Sequence, residues 1–224
     1  KQAPAPAVKQ APTPAVKQVA PAVPIVEVYG NKVSTNNELY GRGGKLYKIK
    51  GNYDLVNNGK FVYLKGTYTT KIDFPHQFKN NNWTVVYVTR YDGSRKGRIL
   101  DGMKNNWILG HWSKRTGIFH QNIWVNGNTA RITDDSYLIS IETPKKIIMR
   151  SSKNNSNWIN VDTSNKINIP NETGISINNG KHSGEASDFN FAYLAIYDRI
   201  LNSAEKEKIK KDLVKRFVIT KSNK

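Results

Sequence analysis

Between residues 105 and 127 the chain reads NNWILGHWSKRTGIFHQNIWVNG, a stretch that holds three of its five tryptophans and two of its four histidines. Residues of these types at this spacing suit three kinds of chemistry. Exposed rings stack on the apolar faces of sugars while amides and guanidinium groups bond the hydroxyls, paired imidazoles ligate metals, and bulky rings on a buried strand fill a core. The saccharide set would be Trp107, His111 and Trp112 here, with Tyr91 and Arg98 just upstream. Strand alternation in NWILGHW puts Trp107, Leu109 and His111 on one face and Ile108, Gly110 and Trp112 on the other. Bulk on both faces suits a strand between two layers better than an open platform, so core packing is the stronger expectation.

Hydrolysis of a glycosidic bond needs two carboxyl groups, about 5 Å apart in retaining enzymes. No Glu-x-Asp-x-Glu run places such a pair on one strand face, and the nearest acidic pairs are Asp134-Asp135 in a turn and Glu185 with Asp188 before the last strand. The chain also lacks a Gly-x-Ser-x-Gly elbow, a His-Glu-x-x-His helix and a phosphate loop; GRGGK at 41–45 has the wrong spacing and reads as a loop. The four histidines, at 76, 111, 120 and 182, show no ligand spacing, although His111 and His120 could approach across a hairpin. Asp73, Asp92 and Asp101 are scattered oxygen donors without the density of a calcium loop. The expectation is a protein that is not an enzyme, with no catalytic residue, metal or cofactor.

The elements that must position these residues are strands. Aromatic and β-branched residues are plentiful, and asparagine doublets and triplets such as Asn80-Asn81-Asn82 punctuate the chain as turns. Strands are expected at Phe61–Lys65, Trp83–Tyr91, Trp107–Trp112, Gly117–Val125, Tyr137–Glu142, Lys145–Arg150, Asn157–Val161, Gly174–Asn178 and Phe189–Tyr197, with a hairpin turn at the Asn126-Gly127 pair. One helix closes the chain over 202–217. Asn202 and Glu205 have capping-box spacing, and Ile209, Leu213 and Phe217 form one stripe. The pattern implies an all-β antiparallel sandwich with one C-terminal helix, occupying residues 25–224.

Residues 1–24 are a separate unit: KQAPAPAV, KQAPTPAV and KQVAPAV, an octapeptide repeated with a third, shortened copy. Regular proline biases such a chain to an extended polyproline tether with little to bury. Cysteine is absent, which removes disulfides and thiolate chemistry, and no apolar run reaches the roughly 20 residues of a membrane span. The net charge of +18 implies an anionic partner. No nucleic-acid-binding signature accompanies it, so specific nucleic-acid recognition is not expected. Lys1, Lys9 and Lys17 of the repeats and Lys211, Lys215 and Arg216 of the helix are the candidate partner contacts.

FNFAYLAIYDRILNSAEKEKIKKDLVKRF resembles the last strand and closing helix of concanavalin A-like, laminin-G-like jelly-roll domains. The central segment, with Arg90-Tyr91, Gly97-Arg98-Ile99-Leu100, Asn106-Trp107, Gly110-His111-Trp112 and a strand ending at Trp124, resembles a subgroup found in structural proteins of large algal DNA viruses. Proline-alanine-lysine repeats are also characteristic of virion proteins in those viruses. The resemblance spans residues 30 to 217 and implies two antiparallel sheets of roughly six or seven strands each. It implies a virion structural protein, a minor capsid or capsid-associated module tethered to other capsid proteins by its arm. The alternative is a lectin-like module for host cell-wall or capsid polysaccharide, including acidic glycans.

Overall fold

The computed structural model describes residues 22–218 apart from 80, 122, 126–130, 134, 154 and 163–170. The repeat arm, with Lys1, Lys9 and Lys17, lies outside the described residues, as does the Asn126-Gly127 pair. In chain order the strands are β1 (Val26–Val33), β2 (Glu38–Gly41), β3 (Leu46–Lys50), β4 (Tyr53–Asn57), β5 (Val62–Gly66), β6 (Lys71–Phe78), β7 (Thr84–Tyr91), β8 (Leu100–Gly102), β9 (Trp107–Trp112), β10 (Arg115–Gln121), β11 (Leu138–Thr143), β12 (Lys146–Ser151), β13 (Ile159–Asp162), β14 (Glu172–Ile177) and β15 (Phe189–Tyr197), followed by α1 (Ser203–Phe217).

The chain forms an antiparallel jelly-roll sandwich. One sheet has the order β2-β1-β15-β7-β11-β12-β13, and the other β3-β6-β14-β8-β9-β10. The β2–β3 hairpin joins them, because β3 pairs with β2 through Leu46–Lys48 and with β6 through Ile49 and Lys50. Between the sheets lie Val28, Leu39, Phe74, Val85, Leu109, Phe119, Leu138, Phe191 and Leu194, all fully buried.

β15 shows why its sequence is apolar throughout. Phe189, Phe191, Leu194 and Ile196 enter the inter-sheet core, while Ala192, Tyr193, Ala195 and Tyr197 lie in a second cluster with α1. Both faces are covered, so alternation is not needed. A register shift between Phe191 and Tyr193 marks the bulge at which the inward parity changes. Its edge is shared by β1 along Tyr193–Ile196 and by β5 along Phe189–Phe191. Gly30 sits where β1 passes that junction, and a Cβ there would lie 2.0 Å from the Phe191 carbonyl oxygen. Only hydrogen fits.

α1 begins as its sequence implies. Asn202 accepts from the Glu205 amide and Glu205 accepts from the Asn202 amide, each at 2.9 Å. Such caps contribute about 1 kcal/mol. Glu205 also takes both terminal nitrogens of Arg199, at 2.9 and 2.6 Å, which ties the helix start to the end of β15. Leu213 and Phe217 are buried and Ile209 packs beside them; the Phe217 ring meets Phe61 edge-on at 5.0 Å. The helix therefore covers the outer face of the β15 sheet.

The strand expected over residues 117–125 is interrupted. A continuous strand from Gly117 to Val125 does not form: β10 ends at Gln121, whose amide bonds the Ile123 carbonyl at 3.0 Å. The chain folds back so that Trp124 bridges to His120.

Candidate functional site

β9 and β10 form a hairpin in which Arg115 pairs with Trp112 and the loop is only Ser113-Lys114. Both loop residues have positive φ, 49° and 67°, the mirror-image turn geometry that matches strand twist. This hairpin places the aromatic set, and it divides it.

Trp107 and His111 point into the sandwich and are 0% exposed. Trp107 packs against Trp83 at 5.2 Å and Phe78 at 5.4 Å. His111 meets the Tyr91 ring edge-on at 4.8 Å, with the Thr89 hydroxyl oxygen 3.5 Å from Nδ1. Burial pushes its pKa down to about 3, so the ring is neutral. Neither residue reaches a ligand from outside, which corrects their place in the saccharide set: strand parity turns both toward the core. His120 is on the opposite face of β10, its Nδ1 2.7 Å from the Asn106 carbonyl oxygen. The hairpin therefore keeps the two histidines apart.

Tyr91 is half-buried, packs against the core, and donates its O–H to the Gly97 carbonyl. Arg98 is 5% exposed and serves as an internal strut. Its Nε donates to Glu185 at 2.7 Å, and one terminal nitrogen reaches Asp101 at 3.2 Å, Asn106 at 2.7 Å and the Trp107 carbonyl at 3.3 Å. Asp101 also accepts from the His182 amide at 3.0 Å. Gly97 lets the 183–188 segment close on this strut, since a Cβ there would lie 1.8 Å from the Glu185 carbonyl oxygen. Tyr91 and Arg98 thus position the site rather than face it.

Trp112 does face solvent in part. It lines an open groove of about 450 Å³ with Arg95, Lys96, Ser113, Gly184 and Glu185. Its indole N–H donates to Glu185 at 2.9 Å, the Arg115 guanidinium lies 4.7 Å from its ring centroid, and the half-buried Trp124 ring lies 5.1 Å away. Burial raises the Glu185 pKa, but the Arg98 bonds and the Trp112 N–H outweigh it and hold the carboxyl below its ordinary value. Glu185 is therefore an anion already matched to Arg98, and the remaining charges on the rim, Arg95 and Lys96, are positive. Arg95 is itself held over the Tyr68 ring at 3.9 Å.

The groove brings in charged residues that sequence reasoning did not nominate, Arg95, Lys96 and Glu185 in its lining, with Arg115 and Trp124 against the Trp112 ring. Trp124 stood in the aromatic stretch, and its short fold-back onto His120 is what brings it beside Trp112. Glu185 carried no readable signal, because its partners lie 73 and 87 residues away. The two carboxylates of the sequence pair have separate partners: Glu185 bonds Arg98 and Trp112, while Asp188 accepts from the Tyr68 and Arg95 amides at 3.0 and 2.9 Å.

Among the described residues, no three His, Cys, Asp or Glu side chains come together as metal ligands. Asp73 is bonded by Asn179, Asp92 by Lys65 and Arg90, and Asp101 by Arg98. On α1, Lys211, Lys215 and Arg216 are exposed, and Arg216 bonds Asp212 at 3.0 Å and the Tyr29 hydroxyl at 2.6 Å.

No protein-family model matches the chain, and no curated protein sequence does. Solved structures do. The binding domain of botulinum neurotoxin DC in complex with SialylT superimposes with a TM-score of 0.53 at 13% identity, over 85% of this chain and 51% of that one. The binding domain of Paraclostridial Mosquitocidal Protein 1 gives 0.56 at 10% identity, over 83% and 51%. The likeness is one of fold. Domain 4 of AbnA, an extracellular arabinanase of Geobacillus stearothermophilus solved with arabinotriose, gives 0.53 at 12% identity, over 82% of this chain and 98% of that domain. This chain thus spans about half the length of the toxin binding domains and nearly all of the arabinanase domain. No helix among the described residues is long and apolar enough to cross a membrane.

Proposed function

We propose that this chain is a non-catalytic binding module whose ligand is a saccharide held in the Trp112 groove. The observation that carries the reading is the division of the aromatic stretch: Trp107 is sealed in the core, while Trp112 is fixed at the surface by Glu185 and Arg115 beside the cationic Arg95 and Lys96. A rigid indole supplies the stacking face a sugar ring needs at little entropic cost. Arg95 and Lys96 favour a sugar carrying a carboxylate or sulfate. Two of the fold's solved neighbours were captured with saccharide ligands, arabinotriose and N-acetylneuraminic acid. A glycan array tests the reading. Acidic glycans should be retained, and Trp112→Ala should weaken the best of them at least tenfold with the melting temperature nearly unchanged; an array blank at high protein concentration would remove it.

A second reading concerns the setting. The three proline-rich repeats, joined to the central motifs resembling structural proteins of large algal DNA viruses, favour a virion module tethered to neighbouring capsid proteins. On this reading the repeat lysines are shielded in the assembled particle. Proteolysis should cut the arm rapidly in free protein and slowly in intact particles, and equal rates would count against it.

A further inference from the structure

The sheet opposite the Trp112 groove carries a second built surface. Beside the C-terminal end of α1 lie two adjoining grooves of about 390 and 470 Å³ that share Lys60 and Lys215 in their walls. The first adds Tyr29, Phe61 and Arg216, and the second adds Arg150, Asn155 and Asn157. Among the described residues, neither wall contains a carboxylate. The helix end accounts for Lys215 and Arg216, since its dipole favours cations there. It does not account for Lys60 on the β4–β5 turn or for Arg150 on β12.

Arg150 is the telling residue. Its side chain is 7% exposed, and its hydrogen bonds run to backbone carbonyls: Nε to Ser151 at 2.9 Å and a terminal nitrogen to Lys153 at 3.2 Å. Its guanidinium carbon lies 5.6 Å from the Trp158 ring centroid, and Lys210 approaches the same ring at 5.2 Å. Among the described residues it has no carboxylate partner, and burial alone lowers its pKa. On α1, the pKa of Lys206 is lowered by burial and then by the nearby charge of Lys146. A buried cation without a counter-ion is costly unless something anionic completes it.

We infer that the two grooves form one track for an anionic polysaccharide, with Lys60, Arg150 and Lys215 meeting its carboxylate or sulfate groups. The neutral groups in the wall favour a sugar chain over an acidic peptide: Asn157 offers its amide to hydroxyls, and Tyr29, Phe61 and the neighbouring Trp158 offer rings. With the Trp112 groove on the other sheet, the module would hold two chains, or two points of one chain, and gain avidity from geometry alone.

Oligogalacturonate is a suitable probe, titrated calorimetrically into the full chain in low salt. The Lys60→Gln/Lys215→Gln double variant alters two exposed side chains and should fold normally. One of the two binding phases should weaken about tenfold, the sum of two modest charge contacts, while Trp112→Ala leaves that phase intact and weakens the other. The result is separable from the proposed function, because Trp112→Ala tests one site and the lysine pair the other. Unchanged binding in the lysine variant would overturn the inference. So would poly-glutamate of equal charge binding as tightly as the oligogalacturonate, which would point to an acidic protein segment instead.

Discussion

Replacing Glu142 with Gln should remove a stability contribution, on the order of 4 kcal/mol, that the native carboxyl loses as pH rises from 4.5 to 8. Glu142 points between the sheets and is 0% exposed. Tyr87, equally buried, donates its O–H to one carboxyl oxygen, and the other oxygen has no hydrogen-bond partner. Burial pushes the carboxyl pKa up to about 8 from 4.5, against the smaller opposing effect of the Tyr87 bond. A folded-state pKa above the unfolded one means that the fold favours the protonated acid. The contribution is complete below pH 4.5 and is lost as pH climbs through 8. Asp101 shifts in the same sense because burial outweighs Arg98. His111 acts oppositely: its pKa falls from 6.5 to about 3, so its stabilisation is complete above pH 6.5 and is lost as pH falls toward 3. Burial lowers His76 and His120 in the same direction. Stability should therefore peak between about pH 4.5 and 6.5. Urea unfolding from pH 3 to 9 checks this. The slope above pH 4.5 is the readout, since the buried Gln amide carries a cost of its own at every pH. An identical slope in Glu142→Gln would show that the carboxyl ionises freely in the folded state.

Arg98→Ala should cost about 3–5 kcal/mol and also remove saccharide binding. The side chain joins four partners drawn from three segments, and Asp101, one of them, is 2% exposed. Truncation leaves that carboxylate buried without its cation, which is the expensive way to break an ion pair. It also releases Glu185, the acceptor that fixes the Trp112 indole. Lysine would rescue little, because one ammonium cannot serve the divergent acceptors of a guanidinium fork. Urea titration and ligand binding at a temperature where the variant is folded separate the two effects. Full stability with intact binding would mean that the strut is dispensable.

The parts of the fold that were legible were those where one physical rule acts alone. β7, β9, β11, β12 and β15 are apolar enough, and long enough, to be read as strands within a residue or two. The Asn202 cap and the Leu213–Phe217 stripe fix α1 locally. β1 to β4 were not read, because the buried residues of β1 to β3 are spaced among Lys, Asn and Gly and β4 has no buried residue. In β3, LYKIK, only Tyr47 and Ile49 are buried. The tight β9–β10 loop also escaped, since Ser113-Lys114 lacks the Asn-Gly pair that announces a mirror-image turn. The site was half legible for the same reason. Parity along NWILGHW correctly separates Trp112 from Trp107 and His111, but it cannot say which face is outside. That choice is made by β7 and β11 in the facing sheet. Arg98 read as a surface cation because the glutamate that buries its charge is 87 residues away.

The five indole N–H groups give the most direct test of the account. Four stand in defined and different settings: Trp83 and Trp107 are sealed in the core, Trp112 is bonded to Glu185 in its groove, and Trp158 lies between Arg150 and Lys210. Each gives its own nitrogen–proton correlation in an NMR spectrum of labelled protein. On titration with an acidic oligosaccharide retained on the array, the Trp112 signal should move and saturate, with that of its neighbour Trp124, while those of Trp83 and Trp107 stay fixed. A saturating titration that leaves Trp112 in place would contradict the assignment of this groove as the saccharide site.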